Sequence, residues 1–158
     1  MTPTIKSNFP LASLANDGFS KEGEASATCF CGKVQLAFPT EAPGLVKLTA
    51  SMFATNFAVL DTHLKHLRGK DNLTEFGQAV TPASGNKMTN YFCQTCGSLM
   101  YRVSSGFPGM SILRVGSVDD FSLMETKLKP QFEQVIETRM SWLKGAEGVP
   151  QYEGHHLK

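Results

Sequence analysis

The four cysteines of this 158-residue chain fall in two close pairs, and this pairing constrains the fold more than any other feature. Cys29 and Cys31 lie in a Cys-Phe-Cys-Gly run, and Cys93 and Cys96 lie in a Cys-Gln-Thr-Cys-Gly run. A pair separated by one or two residues can direct both thiols to one side of a tight turn, so two such pairs can surround one ion. We therefore predict one tetrahedral zinc site with Cys29, Cys31, Cys93 and Cys96 as ligands.

A glycine follows each cysteine pair. Gly32 and Gly97 can adopt positive φ without strain from a Cβ. The backbone can then fold round the metal and direct its N–H groups at the sulfurs. Because residues 32–92 separate the two pairs, we expect the metal to join distant parts of one domain.

Other uses of the cysteines account for the pattern less well. The N-terminal residues lack a positive start followed by an apolar stretch, so we expect a reducing compartment in which disulfides are rare. A redox motif at Cys93 and Cys96 would leave the first pair without a role. Unrelated buried thiols would not be expected to fall in two tight pairs.

Composition predicts one soluble domain. The chain is 41% hydrophobic, and it has no apolar run near the roughly 18 residues that span a bilayer. Its net charge of +1 gives no attraction to nucleic acid or to an anionic membrane. We therefore expect a cytoplasmic protein, small enough to enter the nucleus, without a nucleic-acid or membrane partner.

Alternating apolar residues predict a mainly β domain. Val34, Leu36 and Phe38 alternate directly after the first cysteine pair, and Phe53 and Phe57 should face the core from one side of their strand. Residues 64–76 read as a hairpin that turns at 69–72. The predicted strands are 34–38, 53–59, 64–68, 73–76, 88–92, 99–103 and 110–115.

The end of the chain shows helical spacing. Pro130 and Gly145 mark a start and a stop, and the apolar residues between them are Phe132, Val135, Ile136, Met140 and Leu143. We accordingly divide the chain into a flexible lead-in at 1–22, a single domain at 23–154 that includes a short C-terminal helix, and a tail at 155–158.

Four motifs resemble one known group of proteins. They are Cys-Phe-Cys-Gly-Lys-Val at 29–34, Ser-Gly at 84–85, Phe-Cys-Gln-Thr-Cys-Gly at 92–97, and Arg-Met-Ser-Trp at 139–142. Together they resemble the glutathione-dependent formaldehyde-activating enzyme and centromere protein V family, and the last motif is similar to the tail of its fungal members.

The resemblance implies a β-tent, zinc-ribbon-like fold with the four cysteines holding a structural zinc ion. It also implies a carbon–sulfur lyase activity, the reversible joining of formaldehyde to the glutathione thiol. Glutathione, or a small thiol–aldehyde adduct, would then be the ligand.

The chain departs from the family pattern at one place. Family members carry a Cys-x-Cys-x-x-Cys cluster followed by Arg, which holds the catalytic zinc, before the stretch that matches residues 47–57. Here residues 44–46 run directly into that stretch, and no cysteine lies between Cys31 and Cys93. Because a catalytic zinc needs about three protein ligands and an open position, we assign no catalytic residue and expect impaired activity.

Three functions are considered on these grounds. The chain is a family lyase whose sequence is shortened, or a zinc-stabilised binding or scaffold protein without catalysis. The third, a methionine sulfoxide reductase, needs a reactive cysteine beyond the four ligands, and the sequence has none.

Other metal-binding side chains are interpreted as ordinary surface or turn residues. A replacement site would draw on Asp61, His63, His66 and Asp71, which lie in a hydrophilic segment. The terminal pair His155 and His156 is interpreted in the same way. Asp119 and Asp120 are expected to cap a turn before Phe121.

Overall fold

Short strands account for most of the regular structure in the computed structural model, which describes residues 21–41, 45–49, 54–78 and 85–156. The strands are β1 Glu24–Thr28, β2 Gln35–Pro39, β3 Leu45–Thr49, β4 Ala54–Leu60, β5 Lys65–Arg68, β6 Leu73–Gln78, β7 Met88–Cys93, β8 Leu99–Ser104, β9 Met110–Arg114, β10 Phe132–Gln134 and β11 Gln151–Tyr152. Short 3-10 helices occupy Asp61–His63, Lys70–Asn72, Val115–Ser117, Phe121–Glu125 and Ile136–Thr138. The predicted mainly β class is confirmed.

The strands form two sheets. A 3-stranded sheet has the order β1-β2-β5, and an 8-stranded sheet has the order β11-β10-β3-β4-β9-β8-β7-β6. Most neighbours are antiparallel, whereas β10 runs parallel to both β3 and β11. No helix in the described part of the chain has the length and apolar character needed to cross a bilayer.

The core fills the space between the two sheets. Val34, Leu36 and Phe38 of the smaller sheet's central segment are fully buried, as their alternation predicts. Phe38 packs against Phe57 of β4 with ring centroids 5.3 Å apart. Phe57 thus faces the core as expected, while Phe53 lies outside the described residues.

The predicted hairpin at 64–76 is wrong in its pairing, although both strands and the turn are present. β5 pairs with β2 in the smaller sheet, and β6 pairs with β7 in the larger one. At the turn, Gly69 has φ 68° and lies so close to Lys33 that a Cβ would overlap the Lys33 carbonyl oxygen. The segment is therefore an arch that carries the chain from one sheet to the other.

The C-terminal helix is not confirmed. Phe132–Gln134 pairs with β3 and β11, and Val135 then takes φ 61°, a left-handed conformation that ends any helix and is strained for a β-branched residue. Buried Glu133 accepts from Arg139 Nη2 at 2.7 Å and from the backbone of Ala146. Tertiary pairing and this buried carboxylate override the helical spacing.

Phe57 allows a test of which face of β4 packs against the core. Replacing Phe57 (Phe57→Ala) should lower the free energy of unfolding by about 3–5 kcal/mol, because it removes a ring buried between the sheets. Phe76→Ala is the matched control, since Phe76 is 59% exposed on β6 and should cost less than about 1 kcal/mol. Urea titration followed by fluorescence measures both, and equal losses would contradict the assigned facing.

Candidate metal centre

The first cysteine pair occupies the connection between β1 and β2. Cys29 follows β1 directly, and its backbone N–H donates to the Val34 carbonyl at 3.0 Å. Gly32 N–H donates back to the Cys29 carbonyl at 3.0 Å, with φ 77° at Gly32. The turn expected from Gly32 is therefore present, and it closes the hairpin of the smaller sheet around the two thiols.

The second cysteine pair occupies the connection between β7 and β8 and has the same construction. Cys93 ends β7, and its N–H donates to the Ser98 carbonyl at 2.9 Å. Gly97 has φ 74°, and its N–H donates to the Cys93 carbonyl at 2.8 Å. Two similar turns, one from each sheet, thus present the four thiols.

The four sulfurs converge on one point. The Sγ atoms of Cys29, Cys31, Cys93 and Cys96 all lie within 4.8 Å of one another, and no disulfide joins them. Cys31 Sγ is 3.5 Å from Cys29 Sγ and 3.7 Å from Cys93 Sγ. Zinc–sulfur bonds of 2.3 Å in a tetrahedron require sulfurs about 3.8 Å apart. These side chains therefore fit a tetrahedral metal ion.

Hydrogen-bond donors surround the buried sulfurs. Val34 N–H donates to Cys29 Sγ at 3.3 Å, and Asn72 Nδ2 donates to Cys93 Sγ at 3.2 Å. Both sulfurs are buried, so these donors stabilise thiolate charge where water cannot reach it. The expectation that backbone N–H groups point at the sulfurs is confirmed for Cys29.

The thiols differ in their readiness to ionise. Burial raises the pKa of Cys29 to about 12, against a smaller lowering by the Val34 N–H. Burial also raises the pKa of Cys96, but hydrogen bonds outweigh this effect. They come from the Ser98 side chain and backbone and from the Cys31 backbone, and they lower the pKa of Cys96 to about 6. Since metal ligands bind as thiolates, a cation is the partner that compensates for four such groups in one place.

Asn72 contributes to this site although no sequence pattern predicted it. It ends the arch between β5 and β6, where its carbonyl accepts from Gln94 N–H at 2.9 Å and its Oδ1 accepts from Thr95 Oγ1 at 3.2 Å. These contacts orient the amide so that Nδ2 faces Cys93. An asparagine at a turn gives no sequence signal for this role, because the contact depends on how β6 and β7 pair.

Arg68 holds the first turn from the same arch. Its Nε donates to the Gly32 carbonyl at 2.8 Å, and its Nη1 donates to Gln35 Oε1 at 3.1 Å. One segment between the sheets therefore contacts both cysteine turns. The arch thereby links the two turns through hydrogen bonds of the protein itself.

The other candidate ligands do not converge. Within the described residues, the four cysteines are the one group of three or more His, Cys, Asp or Glu side chains close enough to share an ion. His63 is exposed, whereas His66 is half-buried, with Nε2 3.2 Å from the Tyr101 hydroxyl. His66 is thus a packed side chain and not the fully solvated one that we expected.

The remaining polar pairs have structural contacts. Asp120 accepts from Ser122 N–H at 2.9 Å and caps the 3-10 helix that begins at Phe121, as predicted. Asp119 instead accepts from Ser26 and Thr28. In the tail, His155 and His156 are exposed, and the His156 ring stacks on Tyr152 at 3.7 Å between centroids.

The second cysteine cluster that the family resemblance led us to expect would lie around β3. The strand itself occupies Leu45–Thr49, while residues 42–44 and 50–53 lie outside the described part. The sequence there contains no cysteine. The four thiols already placed are therefore all the thiols that the chain has.

One comparison with known proteins identifies the family of this chain. A model of the glutathione-dependent formaldehyde-activating enzyme family (GFA) matches residues 24–138, which include both cysteine turns. A search of curated proteins found no match. A crystal structure of a Rhodobacter sphaeroides protein is similar over 80% of this chain and 98% of that one, with 15% sequence identity and a TM-score of 0.48. Because the family match spans most of the chain, this protein belongs to the GFA family.

Proposed function

We propose that this chain is a zinc-stabilised GFA protein in which Cys29, Cys31, Cys93 and Cys96 hold one structural zinc ion. The observation that carries the proposal is the convergence of all four sulfurs within 4.8 Å. When bound, zinc would neutralise the thiolates and join the two sheets. Four sulfur ligands complete a tetrahedron and leave no position for a substrate.

The family's lyase chemistry is impaired in this proposal. Joining formaldehyde to the glutathione thiol by metal catalysis requires an ion with an open position, which can hold a thiolate or polarise a carbonyl. The four thiols of the chain are all used in the structural site. Glutathione, or a small thiol–aldehyde adduct, remains the candidate ligand by family membership, and the protein would then act by binding.

Loss of one ligand should uncouple the two sheets. Cys96→Ser should remove zinc and lower the melting temperature strongly, because structural zinc sites contribute roughly 10–16 kcal/mol against a net domain stability of about 5–15 kcal/mol. Ser122→Ala is the control, since it removes an exposed hydroxyl bonded to Asp120 and leaves all four ligands and their hydrogen bonds in place. Metal analysis and thermal melting measure both, and a metal-free Cys96→Ser protein with an unchanged melting temperature would refute the structural role.

The Asn72 amide should strengthen zinc binding through Cys93. Asn72→Ala removes the Nδ2 hydrogen bond to the sulfur and should weaken zinc affinity about 10–100-fold. Thr95→Ala removes only the bond that Thr95 donates to Asn72 Oδ1 and should change affinity far less. Competition with a chromogenic chelator gives both values, and equal effects would show that Asn72 acts through loop packing alone.

Catalysis gives the direct test of the function. The purified chain should contain one zinc, and formaldehyde and glutathione should form their adduct at the spontaneous rate in its presence, because no open-site metal is available. Zinc content is measured by mass spectrometry and adduct formation by NMR. Two zinc ions per chain, or an acceleration that a chelator abolishes, would overturn the proposal and reveal a second metal site.

A further inference from the structure

Two arginines lie side by side on the face of the larger sheet that points away from the core. Arg114 of β9 is the register partner of Asn56 in β4, and Arg102 of β8 is paired with Ile112 of β9. Since Ile112 and Arg114 are two residues apart in one strand, their side chains share a face. Arg102, Arg114 and Asn56 thus form a cluster on three adjacent strands.

One amide oxygen serves both guanidinium groups. Asn56 Oδ1 accepts from Arg114 Nη1 at 2.6 Å and from Arg102 Nη2 at 3.5 Å. Asn56 Nδ2 donates to the Ala54 carbonyl at 3.1 Å, so the amide oxygen is the atom turned toward the arginines. The bond to Arg102 is at the outer limit of a hydrogen bond.

The cluster has more donors than acceptors. Each guanidinium carries five N–H groups, yet Arg102 Nε is buried and has no hydrogen-bond partner. Within the described residues, no carboxylate lies at ion-pair distance from Arg102 or Arg114. By contrast, the half-buried Arg139 has the carboxylate of Glu133 beside it. In the part of the chain that the structure describes, the pair at β8 and β9 is therefore uncompensated.

The buried surroundings raise the free-energy cost of two neighbouring positive charges. Asn56 is fully buried, and Ala58 and Ile112 on the same face are 6% exposed each. Burial lowers the pKa of Arg102 to about 10, with a further contribution from the charge of Arg114, and burial also lowers the pKa of Arg114. Two like charges in a weakly solvated place are destabilising unless an anion joins them.

We propose that Arg102 and Arg114, oriented by Asn56, form a binding site for the oxyanion of a small molecule, a carboxylate or a phosphate group. The planar guanidinium fork matches both groups through paired hydrogen bonds. Both arginines keep part of their surface exposed, as a site open to a small ligand requires. A recessed pair of charges on a chain with net charge +1 suits a single anionic group and not a nucleic-acid backbone.

The test uses the zinc-loaded full chain, titrated separately with inorganic phosphate and with succinate at constant ionic strength. We expect at least one of them to bind by calorimetry and to raise the melting temperature. In the unaltered protein, the NMR signals of the Arg102 and Arg114 Nε–H groups should shift on saturation. Response to phosphate alone identifies a phosphoryl ligand, and response to succinate alone identifies a carboxylate; either result supports the site.

Charge-removing variants locate the binding. Arg102→Gln and Arg114→Gln should each weaken binding at least tenfold, or about 1.4 kcal/mol. Lys129→Gln removes the same charge at an exposed position and should leave binding unchanged. Arg102→Lys keeps the charge but loses the fork, and it should give an intermediate affinity.

Several results would overturn the proposal. They are absence of binding to both anions, binding that the two glutamine variants leave intact, or an equal loss in Lys129→Gln, which would indicate general charge attraction. Should a glutamine variant fail to fold, the Nε–H signals of the unaltered protein decide, because unmoved signals at anion saturation place the anion elsewhere.

Discussion

The convergence of four sulfurs from two sheets is the constraint on which this fold depends. Cys29 and Cys31 extend from the 3-stranded sheet, and Cys93 and Cys96 extend from the 8-stranded sheet. The apolar core, which includes Cys29 and Cys93, also joins the same two sheets, as the contact of Phe38 with Phe57 shows. Burial of apolar surface favours no particular orientation of the two sheets. Four ligand positions around one point do define such an orientation. A metal ion held by the four cysteines would therefore fix the orientation of sheets that the core holds in contact.

Local sequence patterns predicted much of this arrangement. Paired cysteines with following glycines identified both turns, because those features act over a few residues. Alternation identified strands such as β2 and β4, since period two follows from the pleat itself. Alternation reports which face of a strand is buried and not which strand lies beside it. For this reason the pairing of β5 and β6 was wrong although both strands were found.

Features that depend on tertiary register were outside the reach of the sequence. Asn72 contacts Cys93, and Asn56 joins Arg102 to Arg114, only because particular strands lie side by side. The spacing of apolar residues near Val135 was typical of a helix, yet pairing of β10 with β3 took precedence. In each case a distant partner, absent from any local window, determined the outcome.

Gly69 has a consequence for how this sequence can vary through evolution. Its position has three requirements: a left-handed backbone, a change from one sheet to the other, and a close approach to the Lys33 carbonyl. An exposed loop glycine can drift to asparagine at small cost. Here even a methyl group would separate the arch from the first cysteine turn. A relative that keeps this arch should consequently keep a glycine at the position of Gly69, however freely its surface diverges.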